Sequence, residues 1–290
     1  MLRHRLRLPR GAVLGAAAAA PVALSVAMPR SKTRDVVMAA LNMWGYTAAY
    51  KMPNDDPEAL RARVHVRYPI VIDRVLGFGE LPTVRIQRRF ALPGRLSRVE
   101  RLLSWCHWLW FAVPHLSVAY VWVRDAERLG GAAARMYAVF DLGVVCYWLV
   151  PTAPPWWAAS HGYLGEGDPP PVRRMMSEYG ERFWGESWNE LYDVLGGNPL
   201  AAMPSQHFAT SLMAAHLLWE AGPVAGTLGF AYTATLGLAL VYLGEHYAID
   251  LVAGATLAEA VRLGAKRAAA PARLVERTLQ TLEACATGSR

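Results

Sequence analysis

Residues 224–264 read VAGTLGFAYTATLGLALVYLGEHYAIDLVAGATLAEAVRLG. No charged residue occurs from Val224 to Gly244, a run long enough for a helix to cross a hydrocarbon core of about 30 Å. A second apolar run occupies 247–264, and only Glu245-His246 separates the two. A short polar turn between two long apolar runs predicts two antiparallel helices in a membrane. It also puts Glu245, His246 and Asp250 at one membrane face.

Working outward, the runs 36–50, 103–123, 136–153 and 207–221 are apolar as well. The sequence therefore predicts an all-α, polytopic membrane helical bundle with about six transmembrane helices. The run at 207–221 is short for a span and needs help from the polar residues at its start. Composition agrees, with 54% hydrophobic and 18% charged residues, against about a quarter charged in soluble domains. Residues 51–101 are arginine-rich and mix charge with branched apolar residues, as in RARVHVRYPIVIDRVL. They predict an outer loop carrying one or two amphipathic helices at the interface.

Four segments follow from this division. Residues 1–32 are a basic extension, 33–101 the first span with its outer loop, 102–265 a catalytic membrane core, and 266–290 a basic cytoplasmic tail. In the extension, MLRHRLRLPR precedes a small-residue apolar stretch at 11–28. Three readings stay open: a signal peptide cleaved after Ser25-Val26-Ala27, a weak extra span, or an extension upstream of the true start. Basic residues at Arg30, Lys32 and Arg34, at Arg124, Arg128 and Arg135, and in the tail from Arg262 onward predict a cytoplasmic side. The polar motifs then fall on the opposite face.

The net charge is +7. It flanks apolar runs and forms no basic helix, which argues against nucleic acid and for anionic lipid head groups as partners. Cys106, Cys146 and Cys285 have neither disulfide-framework nor metal-site spacing. No metal and no cofactor are expected.

Three motifs carry chemistry. Asn198-Pro199-Leu200-Ala201-Ala202-Met203-Pro204-Ser205-Gln206-His207 opens a span. A helix start presents unpaired N–H groups that suit a phosphate oxygen, and Ser205 can cap the helix. Gly244-Glu245-His246-Tyr247-Ala248-Ile249-Asp250 sets His246 and Asp250 four residues apart, on one helical face. Asp250 can hold one ring nitrogen of His246 and leave the other as a nucleophile. The same pair also suits a structural bridge between helices. Pro151-Thr152-Ala153-Pro154-Pro155-Trp156-Trp157 ends a span. Its tryptophans suit either substrate contact or an interfacial belt.

Taken together, Met203-Pro204-Ser205-Gln206-His207 and His246-Tyr247-Ala248-Ile249-Asp250 resemble two motifs of the type 2 phosphatidic acid phosphatase superfamily. Ala153-Pro154-Pro155-Trp156-Trp157 resembles the inositol phosphorylceramide synthase branch, whose bacterial relatives are integral membrane proteins. The resemblance covers about residues 100–265. It implies a metal-independent, two-step displacement on membrane lipid phosphates through a phosphohistidine. His246 would be the nucleophile, Asp250 its orienting partner, His207 the general acid, and Ser205 a phosphate ligand.

Two departures matter. The hydrolases' upstream Lys…Arg-Pro motif has no match, and their Ser-Arg pair before the nucleophile is replaced by Ala239 and Leu240. The loss favours transfer to an alcohol over hydrolysis, and it leaves the phosphate charge unmet. Arg173, Arg174 and Arg182 are the candidate phosphate-binding cations, and Trp156 and Trp157 the candidate substrate contacts. The competing readings are a lipid phosphate or polyprenyl diphosphate phosphatase and a non-catalytic transporter or scaffold.

Overall fold

Among the described residues every regular element is a helix, and the breaks between helices fall where local chemistry places them. The computed structural model describes residues 9–165, 171–195 and 197–287, so the basic stretch 1–8 and the tail residues 288–290 lie outside the described residues. The chain divides into two units, Asp56–Val261 and Met1–Asp55 with Arg262–Arg290.

In the latter unit, α1 (Arg10–Ala27) and α2 (Lys32–Lys51) are joined by a tight turn. Ser31 caps α2 by accepting from the Arg34 N–H. The Arg34 guanidinium donates back to the carbonyls of Ser25 and Met28 and pairs with Glu283 at 2.9 Å. Arginines that read as a span flank thus fasten a turn. The apolar stretch at 11–28 forms a helix long and apolar enough to cross a membrane.

The other unit contains α3 (Pro57–Arg63), α4 (Arg67–Leu76), α5 (Pro82–Phe90), α6 (Arg98–Leu109), α7 (Val113–Arg124), α8 (Leu129–Leu149) and α9 (Pro155–Ser160). It continues with α10 (Met175–Trp184), α11 (Ser187–Leu195), α12 (Gln206–Ala221), α13 (Pro223–Tyr242) and the start of α14 (Ala248–Thr287).

Among the described residues, three stretches are long and apolar enough to cross a membrane: Arg10–Ala27, Ala126–Leu149 and Pro223–Tyr242. This is fewer than the six expected. The 36–50 run lies inside α2, which also carries Lys32, Arg34, Asp35 and Lys51. The 103–123 run is two 12-residue helices, α6 and α7, rather than one continuous helix. Pro114 stands in the first turn of α7, where its missing N–H has no intrahelical acceptor to lose. The 207–221 run is the 16-residue α12.

Small residues let these helices meet closely, as membrane packing requires. A Cβ on Gly229 of α13 would lie 2.9 Å from the Ala215 Cα of α12. Ala209, Met213, Ala214, Leu236 and Leu240 fill the space between. At the far ends, Arg128 and Arg135 both pair with Glu220.

The arginine-rich segment is integrated into this unit. Leu60, Val66, Ile70 and Leu81 share a core with Ala153, Trp157, Leu200 and Tyr247. The outer faces of α4 and its following turn leave Val71, Val75 and Phe78 exposed, which keeps their amphipathic character. The Gln87 amide donates to the carbonyls of Arg173 and Tyr242, so α5 also ties two distant segments together.

Candidate active site

The site is organised around the turn between α13 and α14. Helix α13 ends in a left-handed Gly244, φ +86°. A Cβ there would stand 2.5 Å from the Arg173 carbonyl oxygen, so glycine is required both by conformation and by space. The N–H groups of Glu245 and His246 both donate to the Leu240 carbonyl at 3.0 Å. The Trp156 N–H donates to the Gly244 carbonyl at 3.3 Å, and the Met175 N–H to that of Leu243 at 3.1 Å. Pro154-Pro155-Trp156 and the Arg173-Arg174 segment therefore both lie on this turn.

A buried aspartate from far upstream completes it. Asp73 on α4 accepts from the N–H groups of Ala248 and Ile249 at 3.1 and 2.8 Å. It caps α14 at its positive end. Burial pushes the Asp73 carboxyl above its usual range, against the two N–H groups that hold it down.

The two histidine motifs meet here. His246 Nδ1 lies 3.2 Å from Asp250 Oδ2, and that oxygen also accepts from the Tyr247 N–H at 2.9 Å. His207 Nδ1 lies 3.3 Å from His246 Nε2, with the rings at 65° to one another. In the tautomer where Asp250 accepts from Nδ1–H, His246 Nε2 keeps its lone pair, and the proton in the 3.3 Å contact is then carried by His207. The line Asp250–His246–His207 has the form needed for an attacking nitrogen beside a proton donor.

Ser205 caps α12, accepting from the Phe208 N–H, and its own N–H donates to the Asp250 carbonyl at 2.9 Å. That bond joins the two motifs directly. Gly254 makes it possible, since a Cβ there would lie 2.6 Å from the Ser205 carbonyl oxygen.

Residues that the sequence reading did not weigh support His207. Trp110 covers its ring at 4.2 Å between centroids and donates its indole N–H to Thr210 at 2.7 Å. His107 lies against the same ring at 4.7 Å. Gln206 donates to the Val139 and Phe140 carbonyls of α8, and Gly143 leaves room for its amide. The Tyr147 hydroxyl donates to the Pro204 carbonyl at 2.7 Å. The motif segment before α12 is thus pinned from α8.

The three candidate arginines part company. Arg174 forms a two-point pair with Glu245 at 2.9 and 3.1 Å, and its guanidinium lies 3.9 Å from the centre of the Trp156 ring. Burial pushes the Glu245 carboxyl up, but the Arg174 charge outweighs it and holds the group below its usual range. Arg173 instead pairs with Glu178 and donates to the Leu92 carbonyl. Arg182 reaches the Gly94 carbonyl and is exposed. The two tryptophans also separate: Trp156 underlies Arg174, whereas Trp157 stacks on His161 at 3.7 Å and belongs to the buried core.

The chain is similar to known proteins. The family model described as PAP2 superfamily matches residues 92–263. The inositol phosphorylceramide synthase catalytic subunit of Schizosaccharomyces pombe is 22% identical over 247 residues, 81% of this chain and 55% of that protein. The corresponding subunit of Saccharomyces cerevisiae is 26% identical over 153 residues, 51% of this chain and 37% of its own length. The inositol phosphorylceramide synthase of Candida albicans is 26% identical over 161 residues, 52% of this chain and 33% of its length. The chain spans about half the length, or less, of these curated relatives. No solved structure matches it. With the family model covering more than half of its residues, including both histidine motifs, the chain belongs to the PAP2 superfamily.

Proposed function

We propose that this protein is an integral membrane lipid phosphotransferase that moves a phosphate-linked head group to an acceptor alcohol through a phosphohistidine. The observation that carries the reading is the continuous Asp250–His246–His207 line, with contacts of 3.2 and 3.3 Å. Phosphoryl transfer needs an in-line nucleophile, a proton for the leaving oxygen and a cation for the spreading charge. His246 Nε2 attacks phosphorus and the bond to the leaving alkoxide breaks. His207 gives that oxygen its proton. His207 then takes the proton of the acceptor hydroxyl, which attacks phosphorus as the bond to His246 breaks. The donor phosphate parts the two rings when it enters.

Arg174 is the cation that best fits the charge, being joined to the turn that carries His246. Ser205 and the start of α12 meet the remaining oxygens. The names of the fungal relatives support phosphoinositol as the head group. The six-span reading, with the site on the extracytoplasmic face of a bacterial cell membrane and residues 102–265 as its catalytic core, gives the reaction its topology.

The test is to incubate purified protein with labelled phospholipid and diphosphate lipid donors, with and without an alcohol acceptor, and to trap acid-labile label on the chain. Wild type should form an alcohol-linked product and a phosphohistidine. His246→Ala should lose both while keeping its chromatographic behaviour. Near-normal turnover by that variant would make His246 structural.

A further inference from the structure

His107 has no part in the steps above, yet it lies beside them. It is 5% exposed, and neither ring nitrogen has a hydrogen-bond partner among the described residues. Its ring stands 4.7 Å from that of His207, tilted by 33°. Glu245, His246 and Arg174 are all within electrostatic range of it. Buried polar groups are normally paired, and an orphan of this kind marks a place where something else supplies the partner.

The chemistry of the ring narrows what that is. A neutral imidazole has one donor and one acceptor nitrogen. The oxygens of a phosphodiester accept only, so they can satisfy one nitrogen and leave the other bare. The Glu245 carboxylate also accepts only, and Arg174 already holds both its oxygens. Hydroxyl groups donate and accept, so a polyol can meet both nitrogens.

We propose that His107 is a substrate-contacting residue that binds hydroxyls of a polyhydroxylated head group while its phosphate lies between His207 and His246. This rests on the phosphotransfer reading and names the side chain that recognises the head group. The preferred donor is a phosphodiester lipid bearing a polyol, and a simple phosphate ester lacks the groups that His107 recognises.

Binding to the purified full chain tests this without turnover. The probes are myo-inositol 1-phosphate and ethyl phosphate, titrated by tryptophan fluorescence, since Trp110 and Trp156 border the site. Wild type should prefer the inositol ester by about tenfold, the factor that one well-made hydrogen bond supplies. His107→Phe keeps a ring of similar shape and removes both nitrogens. It should abolish the preference and leave ethyl phosphate binding within about twofold, the retained binding showing that the site is folded. His107→Asn should keep part of the preference. No preference in wild type, an unchanged preference in His107→Phe, or equal weakening of both probes would overturn the proposal. Failure of the phosphotransfer reading looks different: no donor is turned over or His246→Ala stays active, and the binding preference still decides the role of His107.

Discussion

Replacing Arg174 by alanine removes one partner of a pair in which Arg174 is 19% and Glu245 9% exposed. Exposed pairs contribute about 0–1 kcal/mol, but breaking a buried one costs about 3–5 kcal/mol because the remaining charge is stranded. For a folding unit of this size, roughly 2–4 °C per kcal/mol converts that to a melting temperature lower by about 6–20 °C near neutral pH. The sign of its pH dependence follows from Glu245. In the intact pair the folded carboxyl lies below its ordinary value of 4.5. The pair's stabilisation is therefore complete above that value and fades as pH falls through the folded one. In Arg174→Ala, burial, the largest influence on Glu245, loses its main opponent and keeps only the lesser pull of His107 and His246 against it, so the carboxyl rises above its unfolded value and acid relieves the variant. The gap between the two melting temperatures should be widest near neutral pH and close as pH falls through the carboxylate range. Intrinsic fluorescence melts in detergent, run as a pH series, measure it. Arg174→Lys should recover part of both stability and turnover, since it keeps the charge without the planar fork or the stacking on Trp156. A gap of only a few degrees, or one of equal size at neutral and acid pH, would refute a buried ion pair at this site.

Other outcomes follow from the same geometry. Asp73→Ala should lower turnover and cost about 2–4 kcal/mol, because two N–H groups at the start of α14 lose their acceptor; amide exchange at Ala248 and Ile249 should quicken, and unchanged exchange would deny the cap. Gly244→Ala should cost about 1–3 kcal/mol or more from its left-handed backbone and should displace His246. Gly264→Ala is its control, because no atom lies within 4 Å of the added Cβ, and equal melting temperatures for the two would count against the turn argument. Turnover should persist in excess chelator, since His246, His207 and Arg174 supply nucleophile, acid and charge; loss of activity restored by a divalent ion would show that a metal supplies the charge.

How much of this was legible in the chain depends on how far each contact reaches. The hairpin at 224–264 needs no tertiary partner to be recognised, because transfer of apolar surface into lipid is a property of each run by itself. The His246–Asp250 pairing is equally local, four residues along one backbone, and the Ser205 cap is set by its own helix start. Those readings therefore came from the residues alone. The choice of Arg174 among three arginines did not, since it depends on Glu245 lying 71 positions away. Asp73 reads as one charge in an amphipathic helix until the fold brings it to N–H groups 175 and 176 residues downstream. Gln206 and Gly143 are explained only by the crossing of α12 and α8, and His107 only by its ring facing His207. The apolar content of 103–123 could not reveal that the run breaks at Trp110–Ala112, because the sum of hydrophobicity is blind to where a helix turns. Local chemistry determined the helical class of the fold and the His246–Asp250 pairing, and long-range packing alone decided which arginine, cap and buried ring surround them.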